Sequence, residues 1–181
     1  GLGVAALAQF MRAMNRAPRL IPGAIAGMLG QRSDGRLPAG LQGKSHQMYP
    51  GTHALASPDK PAVICPGSGE TLSYRALDDQ SNRLAQLLHA RGLRRGDHVA
   101  LYCDNNAGFF VAVWACMRSG FYLTPINWHL APAEAAYIVD DCDATALIAS
   151  AAIPAAAELG ALVRDCPNKL AIGGEVPGFT R

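Results

Sequence analysis

Residues 98–125 read HVALYCDNNAGFFVAVWACMRSGFYLTP. The stretch opens on His98–Cys103, a short apolar run of strand length. Asp104, Asn105 and Asn106 follow, three residues whose side chains can accept from the free amides at a helix start. The helix they open reaches about Ser119, with Phe109, Phe110, Val113, Trp114 and Met117 as its expected packing face. Gly120 ends it, and Phe121–Thr124 forms the next strand, closed by Pro125. A strand, a helix and a second strand in this order make a β-α-β unit, whose strands run parallel.

The same rhythm continues toward the C-terminus. Pro132 suits the first turn of a helix and Glu134 suits its positive end, while Ala131 is a poor cap. Thr145–Ala149 is a further strand, followed by an Ala-rich helix to about Arg164, and Lys169–Ile172 is the last strand. Strands therefore begin near residues 98, 121, 145 and 169. Toward the N-terminus, Arg94-Arg95-Gly96-Asp97 is a turn. A helix precedes it over residues 74–91, capped by Ser73, with Leu77, Leu84, Leu87 and Leu88 on one face. Gly92 can take the left-handed conformation that stops this helix, and Leu93 can fold back on it. Ala62–Cys65 and Glu70–Ser73, joined by Pro66-Gly67-Ser68-Gly69, read as a β-hairpin. The expected class is α/β: a parallel sheet of β-α-β units preceded by a short β-hairpin. Residues 173–181 are a Gly- and Pro-containing tail, so the sheet reads as an incomplete subdomain.

Composition fits a folded chain, with half of the 181 residues hydrophobic and 17% charged. The net charge of +2 is unevenly placed. Residues 1–47 carry Arg12, Arg16, Arg19, Arg32, Arg36 and Lys44 against Asp34 alone, whereas the rest is mildly acidic. Residues 1–47 are therefore expected to form a basic, apolar leader and linker, poorly ordered or amphipathic, and residues 48–181 the folded portion. Gly1–Met11 could lie on a membrane surface as a short amphipathic helix, a peripheral contact. No apolar run reaches the ~18–20 residues of a membrane span. No basic stripe interleaved with aromatics suggests nucleic acid. Cys65, Cys103, Cys116, Cys142 and Cys166 form no Cys-x-x-Cys pair, which argues against a disulfide framework or zinc site and fits a cytoplasmic setting.

A search for chemistry returns little. Pro66–Gly69 is glycine-rich, but no Lys follows and no helix opens from it, so a hairpin turn is the better reading. His46, His53, His89, His98 and His129 are scattered without helical ligand spacing. Asp140, Asp141 and Asp143 form an acidic cluster at a helix end, where such clusters are usually solvated. Ser57, Ser68 and Ser150 have no evident base, and no Gly-x-Ser-x-Gly occurs. Asn127, Trp128 and His129 follow the C-terminal end of a strand, where open α/β sheets place ligands. The alternative is a rigid connection in which Trp128 packs and Asn127 satisfies backbone groups.

Pro58-Asp59-Lys60-Pro61-Ala62-Val63-Ile64, Glu70–Leu77, Ser81–Ala85, Gly92–Leu101, Gly120–Asn127, Pro132-Ala133-Glu134 and Tyr137–Asp141 follow one another in a distinctive order and spacing. That order resembles the adenylate-forming, or AMP-binding, superfamily, and within it best the N-terminal part of bacterial fatty-acid–CoA ligases; the resemblance is to the family's N-terminal segment. It implies ATP, Mg²⁺ and coenzyme A as the reagents of a longer parent, which joins a fatty or other carboxylic acid to the thiol through an acyl-adenylate. The family's Ser/Thr/Gly-rich phosphate loop ending in Lys has no match in this sequence, and Lys169 matches no family motif. No catalytic, cofactor-binding or metal residue is therefore carried over, and the matched residues are expected to be scaffold. Three expectations compete: an inert piece of the ligase, a truncated interaction or membrane-associated module, and a small nucleotide-binding protein, which the lack of a phosphate loop disfavours.

Overall fold

The computed structural model describes residues 50–180. The leader expected over residues 1–47 lies outside the described residues. The first element is a helix the sequence reading did not anticipate, α1 (Pro50–Ala56). The hairpin follows, with β1 (Pro61–Cys65) and β2 (Glu70–Ser73) antiparallel and a register irregularity between Pro61 and Val63. Gly69 sits at φ +73°, a left-handed turn position that suits glycine.

Helix α2 (Tyr74–Ala90) begins where the Ser73 side chain accepts from the amide of Ala76 at 3.2 Å. It ends in a Schellman arrangement. Gly92, at φ +99°, donates to the His89 carbonyl, and Leu93 donates to the Leu88 carbonyl. Leu93 and Leu88 are fully buried, so the backward fold of the chain also seals an apolar contact. The expected apolar face needs one correction: Leu87 is 37% exposed, and Ser81 is buried in the helix contact. Ser81 can be buried because its hydroxyl donates to the Leu77 carbonyl at 2.7 Å, leaving no unpaired donor.

Three overlapping β-α-β units follow in the expected order. They are β3 (His98–Tyr102), α3 (Ala107–Ser119), β4 (Tyr122–Ile126), α4 (Pro132–Asp141), β5 (Ala146–Ser150), α5 (Ala156–Leu162) and β6 (Asn168–Ile172). The strands lie in the order β4-β3-β5-β6, and every pairing is parallel. Their residues alternate between two layers. Val99, Leu101, Ala146, Ile148 and Leu170 face α2 and α3. Ala100, Tyr102, Leu147, Ala149 and Ala171 face α4 and α5. Both faces are covered, which is why β5 is buried at every position and shows no polar alternation. The hairpin packs separately, through Val63, Cys65 and Leu72 against Leu77, Ala107 and Val111.

Two further readings are corrected. The packing face of α3 is Ala107, Val111, Ala112, Ala115 and Cys116, whereas Phe110 and Met117 are 41% and 62% exposed. Small side chains let α3 approach the sheet and α2 closely, while Phe109 and Trp114 pack, half-buried, against the cores as expected and only Phe110 and Met117 turn outward. Strand β4 continues through Pro125 to Ile126 instead of closing at Pro125. Proline is tolerated there because, among the described residues, β4 is an edge strand, where a missing N–H breaks no ladder. The opposite edge is partly covered: the tail returns so that Thr180 donates to the Lys169 carbonyl at 2.9 Å and accepts from the Ala171 amide at 2.8 Å. Thr180 is thus tied to β6.

Helix α4 confirms that Ala131 supplies no cap of its own. Glu134 compensates by accepting from the Ala131 amide at 3.1 Å.

Candidate functional site

In this strand order β3 and β5 are neighbours, but their C-terminal connections leave to opposite faces of the sheet. The chain after β3 enters α3 on one face, and the chain after β5 enters α5 on the other. That divergence is a topological switch point, and open α/β sheets bind ligands in the crevice it leaves. The residues at this position are Asp104 and Asn106 after β3, and Ser150 at the end of β5.

Asn106 organises the group. Its Oδ1 accepts from the Phe109 amide at 3.2 Å, which caps α3. The same oxygen lies 3.6 Å from the Cys103 thiol. Its Nδ2 donates to Asp104 at 2.8 Å and to the Ser150 hydroxyl at 3.4 Å. Ser150 is 1% exposed and also accepts from the Ala152 amide at 3.3 Å. Gly108 allows the close approach of these segments, because a Cβ there would lie 2.9 Å from Ile172 Cδ1 and 3.0 Å from Asn106 Oδ1. The switch point is therefore braced from within, and its side chains satisfy one another.

Its reactivity is low for the same reason. Burial pushes the Cys103 thiol up to about 12, aided by the neighbouring Asp104 charge and opposed by its side-chain hydrogen bond with Asn106. A thiol held protonated is a poor nucleophile. Ser150 has no base beside it among its hydrogen-bond partners. The arrangement can hold three chain segments in register, and it contains no activated nucleophile.

The segment singled out after β4 is a fixed connection. The Asn127 side chain accepts from the His129 amide at 3.1 Å, forming an Asx turn. Tyr102 is fully buried on β3, and its hydroxyl donates to the Trp128 carbonyl at 3.1 Å and the Leu130 carbonyl at 3.4 Å. Burial raises the Tyr102 phenol above its ordinary value, keeping it a donor. The rings of Trp128 and His129 lie 3.6 Å apart, centroid to centroid, and Trp128 remains 38% exposed. Asn127 thus serves the backbone as the rigid-connection reading expects, while Trp128 stacks at the surface and is not buried.

The remaining sequence candidates are dispersed. Ser68 sits in the β1–β2 turn, 3.5 Å from the Cys65 carbonyl. Asp140 and Asp143 border a cavity of about 380 Å³ together with Asp165 and Thr145, at the N-terminal end of β5. Sequence reading missed Asp165 there, because it is brought in by the α5–β6 connection. Among the described residues, no group of three or more His, Cys, Asp and Glu could hold a metal ion. Lys169 uses its ammonium to cap α5, donating to the carbonyls of Gly160 and Val163. Among the described residues, no helix is long and apolar enough to cross a membrane.

The family model described as "AMP-binding enzyme" matches residues 52–173, which covers the hairpin and all four parallel strands.

The chain belongs to the AMP-binding enzyme family.

Within that family, it is similar to the fatty acid–[acyl-carrier-protein] ligase ScoC of Streptomyces coeruleorubidus. The two are 39% identical over 89 residues, which is 49% of this chain and 17% of the relative. A medium/long-chain-fatty-acid–CoA/3-oxocholest-4-en-26-oate–CoA ligase of Mycobacterium tuberculosis is 37% identical over 97 residues, 53% of this chain and 17% of the relative. Among solved structures, the N-terminal domain of FACL13 from Mycobacterium tuberculosis superposes with a TM-score of 0.61 at 25% identity, covering 68% of this chain and 32% of that one. The AMP-binding chain described here thus spans about a sixth of the length of these curated relatives. Its parallel sheet and hairpin match the N-terminal domain of adenylate-forming enzymes.

Proposed function

We propose that this chain is the N-terminal piece of an ATP-dependent fatty-acid–CoA ligase and that, alone, it is a frame without turnover. In the parent reaction a carboxylate oxygen of the fatty acid attacks the α-phosphorus of ATP. Acyl-adenylate forms and pyrophosphate leaves. The thiol of coenzyme A then attacks the acyl carbon, forming the thioester and releasing AMP. One observation carries this reading: 37% identity over 97 residues to a medium/long-chain-fatty-acid–CoA ligase, of which the matched stretch is 17%. ScoC, the acyl-carrier-protein ligase, shares the fatty acid and differs in the thiol.

Within this reading, the residues described here support the site and do not perform the chemistry. The Asp104–Asn106–Ser150 brace fixes the C-terminal ends of β3 and β5, and the Tyr102 hydroxyl fixes the loop after β4. Stabilising a transferring phosphoryl group requires cations and amide donors aimed at the developing charge. The brace directs its hydrogen bonds inward, from Asn106 to Asp104 and Ser150, and brings no cation to the site.

The test is fatty-acid-dependent ATP–pyrophosphate exchange, run on the 181-residue chain and on the product of the intact gene. The expected result is no exchange above the enzyme-free blank for the chain and clear exchange for a longer gene product. Exchange by the chain alone would overturn the frame reading. A longer product that exchanges with no fatty acid would overturn the ligase reading.

A further inference from the structure

We draw no further inference here: the strongest candidate, the outer face of α3 with Phe110 and Met117 exposed beside the open edge of β4, is an unpartnered apolar face, and nothing in the structure shows what covers it.

Discussion

Asn106 is where one side chain decides most. It caps α3, holds Asp104 and reaches across to Ser150 on the neighbouring strand. Asn106→Ala should lower stability by about 1–2 kcal/mol from the lost cap alone. Asn106→Asp keeps the capping oxygen, loses the two donated bonds, and should recover only part of that loss. Chemical denaturation of the three proteins measures both differences. The buried thiols give a second expectation. Burial pushes Cys103 and Cys116 from the ordinary 9.0 up to about 12. Both groups are neutral when protonated, and the unfolded chain ionises them first. Their contribution to stability is therefore complete below pH 9 and declines as the pH rises toward 12. Melting temperature against pH should fall over that window. Cys116→Ala, compared with its own neutral-pH value, should fall less steeply; an unchanged slope would refute the assignment to this thiol. The capping role of Asn106 was legible from its place after an apolar run, with Asp104 and Asn105 as open alternatives. Its bond to Ser150 was not, because the two are 44 residues apart and only the sheet joins them.

At the level of elements, an ion pair bridges α2 and α3 beside their apolar contact. Arg118 donates to Asp78 at 2.6 Å and also to Asn82, with the arginine side chain 9% exposed and the aspartate 21%. A pair this shielded is poorly screened, and deleting one member leaves a charge without its partner. Arg118→Ala should cost about 3 kcal/mol. Arg118→Ala combined with Asp78→Ala should cost less than the sum of the two single changes. Urea midpoints of the double-mutant cycle check this, and additivity would refute the coupling. The helices and strands themselves were readable, because capping residues and glycines mark their ends. The facing of α3 was not. Nearly every residue in it is apolar, so periodicity gives no preferred side, and bulk was right for Phe109 and Trp114 but wrong for Phe110 and Met117. The helix α1 was missed because Pro50-Gly51 begins it with residues that ordinarily signal a turn.

For the whole molecule, charge is the open property. Six cationic side chains in residues 1–47 precede a folded portion that is mildly acidic. A basic, apolar leader is the feature that favours peripheral membrane association, the competing account of the chain. On that account the 181-residue chain should co-sediment with vesicles containing anionic lipid, lose most of that binding at high salt, and lose it when residues 1–47 are removed. Equal binding to neutral and anionic vesicles, or binding that survives the deletion, would reject the leader as its source. The ligase account and this one are separable, because vesicle binding makes no demand on ATP–pyrophosphate exchange.

Local chemistry in the sequence was enough to determine the order of elements from β1 onward and the parallel sense of the strands, and the resemblance of its ordered motifs pointed to the family. Turn residues, caps and the spacing of apolar runs all act over a few neighbours, so they can be read along the chain. Strand order is different. Placing β5 beside β3 and β6 beside β5 is settled by burying both faces of one sheet at once, which involves residues far apart in the chain. Only that packing puts Ser150 against Asn106, brings Asp165 to the cavity with Asp140, and ties Thr180 to β6.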